Sequence, residues 1–201
     1  MKRSDCLTLG IPSKGRLKEP SIDLLRKIGY SIPENGRCLV QKISDELEIY
    51  YLRASDIPLY ISEGVVDAGI TGLDIALESG LNIKEVLDFD FGNCYFVLAG
   101  KKGKKIKSNA RIGTSFPNLT VNWLSKKGKI CDIVSVSGSV EILPKLNVAD
   151  FVTDITSTGR TLRENNLEIK EKILESSARL FCKKLSPKVI LFAEKLREVL
   201  E

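Results

Sequence analysis

The sequence predicts an α/β fold with largely parallel sheets. The first reason is alternation: short apolar runs and amphipathic stretches follow one another along the chain, as strands and helices do in such folds. The second is composition, with 43% hydrophobic and 28% charged residues in 201. That balance suits a soluble globular protein long enough for one large domain or two small lobes with real cores. The third is the lack of any repeat, low-complexity tract or long linker.

Taken in order, Leu7 to Ile11 reads as a buried strand and Leu17 to Ile28 as a helix. Ile22, Leu24, Leu25 and Ile28 keep near-helical spacing, and Gly29 stands near the helix end. Glu48 to Leu52 is a strand. Asp56 to Gly64 is a helix, with Asp56 placed to cap it and Pro58 in its first turn. A strand over Ala68–Thr71, a helix over Leu73–Ser79 and two adjoining strands at 86–91 and 95–98 follow. A second set of units runs from a strand at Arg111–Gly113 to a helix opened by Pro117, with Trp123 and Leu124 on it. Then come a strand at Ile133–Val136, a helix from Ser139 to Leu146, a strand at Phe151–Ile155 and a helix from Gly159 to Asn165. A strand near Leu167–Leu174 precedes the last helix, with Ser186 as its cap and Pro187 in first position. Val189, Phe192, Ala193, Leu196 and Leu200 form that helix's apolar face.

Several function classes fall away. The chain has no histidine, which removes histidine-dependent triads, Cys–His dyads and zinc sites with histidine ligands. Chemistry must run on carboxylates, Lys, Arg, hydroxyls, backbone amides or a bound metal. Cys6, Cys38, Cys94, Cys131 and Cys182 are odd in number, widely spaced and form no CxxC pair. They read as reduced, mostly buried residues. No apolar run approaches the roughly 20 residues of a membrane span, and the N-terminal apolar run is too short for a signal peptide. A cytoplasmic location follows by default. The net charge of +5 suits phosphate-bearing ligands without specifying one. KKGKKIK at 101–107 is the densest basic run. Without interleaved aromatics it reads as a solvated hairpin turn around Gly103 ahead of a nucleic-acid surface.

Chemistry concentrates at residues 150–162, DFVTDITSTGRTL. An apolar strand ends at Ile155, and a hydroxyl- and glycine-rich turn leads into a helical segment. Such a turn aims backbone N–H groups and hydroxyls at an anion, assisted by the helix dipole. Gly159 lets the backbone approach closely. Arg160 adds charge or points to solvent. Asp154 is placed to accept hydrogen bonds from sugar hydroxyls beside a bound phosphate. An ordinary capped strand-to-helix turn has the same shape. GIPSKGRL at 10–17 nearly matches the P-loop pattern, but Arg16 replaces its lysine and Leu17 the hydroxyl that would hold Mg²⁺. A Walker-type ATPase is therefore rejected. What remains is a turn carrying Lys14 and Arg16, which suits a pyrophosphate or triphosphate and equally a solvated surface. TSFP (114–117) and SGSVE (137–141) start predicted helices with small hydroxylic residues. They read as caps that could join the others at the carboxyl ends of the strands.

DITSTGRTLREN at 154–165 resembles the phosphoribosyl-pyrophosphate loop of ATP phosphoribosyltransferases. IPSKGRL at 11–17, RASDIP at 53–58, DAGITGLD at 67–74, GTSFPN at 113–118, SGSVE at 137–141 and ESSARL at 175–180 resemble that family's motifs in its order, across nearly the whole chain. The resemblance implies two α/β lobes like those of type II periplasmic binding proteins, with the active site in the cleft between them. Lobe I would be 1–89 plus 173–201 and the inserted lobe II 90–172. It implies that Asp154 contacts the ribose hydroxyls of phosphoribosyl pyrophosphate, and that Thr156, Ser157, Thr158, Gly159, Arg160 and Thr161 hold its 5-phosphate. Gly15, Arg16 and Arg53 would face the pyrophosphate and nucleotide phosphates, with Arg16 among the catalytic groups. Glu141 looks like the family's acidic residue near the reacting centre. The implied reaction moves the phosphoribosyl group to N1 of the adenine of ATP and opens histidine biosynthesis. Mg²⁺ would be carried by pyrophosphate oxygens and water, with no protein metal ligand. The resemblance is to the family's short-form catalytic subunit, which implies a homodimer alone and a hetero-oligomer with a regulatory subunit resembling histidyl-tRNA synthetase, with neither nucleic acid nor membrane as partner. A sensor or carrier of the same two-lobe fold, or another phosphoribosyltransferase, are the rival readings.

Overall fold

The computed structural model describes residues 6–33 and 38–200. They form two compact units, one of the described residues up to Gly92 together with those from Ser177 onward, and one of residues 93–176. Strand β1 (Leu7–Pro12) leads through a turn to helix α1 (Lys18–Lys27). Strands β2 (Val40–Lys42) and β3 (Leu47–Leu52) precede α2 (Ile57–Ser62), β4 (Ala68–Gly72), α3 (Leu73–Ser79) and β5 (Lys84–Asp88). The second unit holds β6 (Cys94–Lys101), β7 (Arg111–Thr114), α4 (Pro117–Lys126) and β8 (Asp132–Ser135). A 3-10 turn (Val140–Ile142), β9 (Phe151–Thr156), α5 (Arg160–Glu164) and β10 (Leu167–Ser176) complete it. The chain then returns to the first unit as β11 (Ala178–Cys182) and α6 (Pro187–Arg197).

The first unit's sheet runs β2-β3-β1-β4-β11-β5. At its centre β1 pairs parallel with both β3 and β4, while β2, β11 and β5 join antiparallel. Strand β3 alternates, burying Leu47, Ile49 and Tyr51 against the helix-covered face. Strand β11 splits its side chains: Leu180 enters the core with Leu25, Phe192 and Leu196, and Phe181 enters a second one with Ile57, Ile61 and Ala76. The sheet thus has an apolar core on each face, and each fully buried Leu or Ile contributes roughly 1.5–3 kcal/mol. In β4, Gly69 is needed for close approach: a Cβ there would lie 2.5 Å from Ile57 Cγ2.

The second sheet runs β10-β6-β9-β7-β8, with β9, β7 and β8 parallel and β6 and β10 antiparallel. Strand β9 repeats the two-faced pattern. Phe151 packs with Trp123 and Leu124 of α4, and Val152 packs with Val140, Leu143 and Leu162 on the other face. Glu171 of β10 accepts from the Trp123 indole at 3.1 Å and pairs with Lys127 at 2.9 Å.

Several expectations are corrected. The sheets are mixed: parallel pairing holds only for the central strands, and β2 and β11 were not foreseen. The helix expected over Ser139–Leu146 shrinks to the 3-10 turn. Pro144 has no N–H to continue an α-helix and crowds the carbonyl four residues back, so the turn closes on Leu143 N–H to Val140 carbonyl and similar i→i−3 bonds. Asp56 and Ser186 occupy the cap positions of α2 and α6, but neither side chain makes a capping bond. Leu200 is 43% exposed, so α6 buries only Val189, Phe192, Ala193 and Leu196. Only Cys94 and Cys182 are buried; Cys38 is exposed. Residues 101–107 turn at Gly103 but return no strand, since β6 pairs with β9 and β10. No helix among the described residues is long and apolar enough to cross a membrane.

Candidate active site

Sheet polarity places the predicted residues. In the second unit β9, β7 and β8 are parallel neighbours, so the turns that follow them leave from one edge. These are the turns singled out in the sequence as hydroxyl-rich. After β9, Gly159 adopts φ +69, a left-handed conformation that glycine takes without strain. Its N–H donates to the Thr156 hydroxyl at 2.8 Å, and the Arg163 guanidinium donates to the Thr158 carbonyl at 2.9 Å. The Ser157 hydroxyl donates to the Asn93 carbonyl at 3.3 Å. The loop is therefore braced by its own polar groups while Ser157, Thr158, Arg160 and Thr161 remain exposed. Helix α5 has only five residues, so its dipole is slight, and the groups the loop offers an anion are its hydroxyls, its backbone and Arg160. Arg160 Nε donates to Glu164 at 2.7 Å, and the two side chains are 80% and 58% exposed. Such an exposed pair is worth only tenths of a kcal/mol.

Asp154 lies on β9, partly buried, two residues before the loop. Its Oδ1 accepts the Ile155 N–H at 2.8 Å and the Ser115 hydroxyl at 3.3 Å. Ser115 belongs to the turn after β7, so the TSFP and STGR turns meet at this carboxylate. The sequence marks TSFP as a cap that could join the other turns but does not single out Ser115; the partial signal is its hydroxyl at a strand's carboxyl end. Glu141 is partly buried in the 3-10 turn beyond β8, held by the buried Val140 beside it.

In the first unit β3, β1 and β4 are the parallel trio. The turn after β1 contains Gly15 at φ +83 and Arg16. The Ser13 N–H donates to the Leu52 carbonyl at 2.6 Å, which stitches this turn to the one starting at Arg53. Arg16 Nη1 donates to the Gly92 carbonyl. Arg53 is exposed, and its carbonyl accepts the Asp56 N–H at 2.9 Å. The buried Thr71 hydroxyl, at the end of β4, braces that turn by donating to the Ala54 carbonyl at 3.0 Å. Gly15, Arg16 and Arg53 thus gather at one edge of the first unit. Glu141, Asp154 and residues 156–161 gather at one edge of the second.

The family model for ATP phosphoribosyltransferase matches residues 53–201. The chain belongs to the ATP phosphoribosyltransferase family. An ATP phosphoribosyltransferase of Alkaliphilus metalliredigens is 40% identical over 182 residues, covering 88% of this chain and 87% of the relative. One of Methanopyrus kandleri is 40% identical over 181 residues, covering 87% of this chain but 64% of the relative's length. The solved ATP phosphoribosyl transferase (HisG:HisZ) complex from Thermotoga maritima contains a chain 38% identical, with TM-score 0.86 over 96% of this chain and 98% of that one. The arginine-bound form of truncated ArgBP from T. maritima is 14% identical with TM-score 0.58, over 98% of this chain and 97% of that one, a likeness of fold alone. Arg53 and every candidate of the second unit lie within the span matched to the ATP phosphoribosyltransferase family.

Proposed function

We propose that this chain transfers the phosphoribosyl group of phosphoribosyl pyrophosphate to N1 of the adenine of ATP, releasing pyrophosphate, as the first step of histidine biosynthesis in the cytoplasm. The observation that carries the reading is the Asp154 carboxylate set immediately ahead of the hydroxyl-lined loop turned by Gly159. A phosphate held by Thr156, Ser157, Thr158, Gly159, Arg160 and Thr161 leaves its ribose within reach of that carboxylate.

The adenine N1 lone pair forms a bond to ribose C1 as the C1–O bond to pyrophosphate breaks and its electrons leave with that oxygen. No base is needed for the attack. Positive charge grows on the ribose ring in the oxocarbenium-like transition state, and a fixed anion beside it lowers the barrier. Asp154 supplies that charge and orients the ribose hydroxyls. Gly15, Arg16 and Arg53 receive the phosphates of the leaving group and nucleotide, where guanidinium groups match phosphate geometry. Glu141 stands as a second carboxylate at the reacting centre. Among the described residues no three Cys, Asp or Glu side chains gather as a metal cage. In this reading Mg²⁺, when bound, would be held by substrate phosphate oxygens and water, and would neutralise charge on the leaving group.

Kinship with the HisG:HisZ complex extends the reading to assembly. The chain alone forms a homodimer, in the isologous manner usual for small oligomers, and a larger hetero-oligomer with a regulatory subunit resembling histidyl-tRNA synthetase. The test is pyrophosphate release by purified protein, with the partner supplied. Release that requires ATP, phosphoribosyl pyrophosphate and Mg²⁺ together supports the reading. Release without ATP, or none, overturns it.

A further inference from the structure

Three threonine hydroxyls lie buried behind the Asp154 carboxylate, and the reaction outlined above does not use them. Thr114 ends β7, Thr153 stands opposite it on β9, and Thr120 projects from α4; all three are 0% exposed. Thr120 Oγ1 lies 2.7 Å from the Phe116 carbonyl, to which it donates, 2.7 Å from Thr153 Oγ1 and 3.1 Å from Thr114 Oγ1. Thr114 Oγ1 also accepts the Phe116 N–H at 2.9 Å. A hydroxyl has one proton and two lone pairs, so Thr120 shares its proton between the Phe116 carbonyl and Thr114 Oγ1 and can accept from Thr153. Each neighbour of this cluster is a neighbour of the site. Thr153 precedes Asp154, and Ser115, which donates to Asp154, sits between Thr114 and Phe116. Alternation along β9 turns Thr153 toward α4 and Asp154 to the opposite face.

Resting on the transferase reading above, we infer that Thr120 is a positioning residue. Its hydroxyl pins the ends of β7 and β9 together and so fixes the Ser115–Asp154 contact at the geometry the transition state requires. A small error there matters because a preorganised charge acts only from its place. Removing the hydroxyl would leave two hydroxyls and a carbonyl competing for fewer partners in a dry site, and the turn would shift to serve them.

The test compares wild type, Thr120→Val, Thr120→Ser, Ser115→Ala and Asp154→Asn, each with the partner subunit supplied. Thr120→Val keeps the shape and loses the hydroxyl. It should lower kcat about tenfold with the KM for ATP within about twofold, and Thr120→Ser should restore most of the loss. Ser115→Ala, which leaves the buried cluster intact, should lower kcat in the same direction. If Thr120→Val does not fold, Ser115→Ala and Thr120→Ser decide: unchanged kcat in the first, or a fall in the second equal to that of Asp154→Asn, contradicts the inference. A folded Thr120→Val with unchanged kcat and only a lower melting temperature makes the cluster purely structural and overturns it. An inactive wild type overturns the transferase reading itself, and Asp154→Asn at full rate removes Asp154 from the chemistry.

Discussion

At the scale of single residues the site is a matter of charge and backbone. Asp154→Asn keeps the shape and hydrogen-bonding reach of the side chain but removes the anion beside the developing positive ring. Turnover should fall on the order of 10²-fold, with the melting temperature nearly unchanged. Steady-state kinetics alongside a thermal melt separate the two effects. Gly159→Val addresses the loop. A Cβ at φ +69 would lie 3.2 Å from Arg163 Nη1 and 3.4 Å from Ile169 Cδ1, and a β-branched residue is strained in that region. The loop then relaxes at a cost of about 1–2 kcal/mol, and the KM for phosphoribosyl pyrophosphate should rise about tenfold. Near-normal kinetics in both variants would place the site elsewhere. These two residues were legible because an acid before a hydroxyl–glycine turn is a local pattern. Ser115 was not, since its contact with Asp154 spans 39 residues of sequence.

At the scale of elements, α6 shows how the end of the chain is tied to its beginning. Asp67, just before β4, accepts the Thr8 N–H at 2.9 Å and hydroxyl at 2.8 Å, and pairs with Lys188 of α6 at 2.6 Å. Burial alone would raise the Asp67 carboxyl, but the bonds from Lys188 and Thr8 outweigh it and hold the group below its ordinary 3.8. A depressed folded value means the unfolded chain takes up the proton first. The stabilisation is present above about pH 4 and fades as pH falls through the folded value. Asp67→Asn should therefore cost about 1–3 kcal/mol at neutral pH and converge with wild type in strong acid. Denaturant melts at several pH values check this, and a gap that persists into strong acid contradicts it. Helix α6 itself was readable from its 3.6-residue pattern. Strand β11 was not, because ARLFC offers only five residues whose side chains divide between two cores.

At the scale of the molecule, alternation of strands and helices gave the α/β class. It could not give the mixed sheets, because β5 pairs antiparallel with β11 inside the first unit and β6 pairs antiparallel with β10 inside the second. Charge is also divided. Residues 93–176 carry 14 Lys and Arg against eight Asp and Glu, a surplus that suits the unit with the phosphate-type loop. Regulation belongs to this scale as well. In the proposed assembly, inhibition by the pathway's end product histidine would need a second site coupled to the first, and the partner subunit would supply it. Calorimetry of the isolated chain with histidine should show no binding; tight binding would contradict that division of labour. The central claim, that Asp154 and its loop serve transfer to adenine N1, is tested most directly by mass spectrometry of the product. Protein with its partner, ATP, phosphoribosyl pyrophosphate and Mg²⁺ should yield ATP bearing one phosphoribosyl group, whose fragments place it on the adenine base, and Asp154→Asn should yield it about a hundredfold more slowly. A phosphoribosyl group delivered to another acceptor, or no adduct from active pyrophosphate release, would contradict the account.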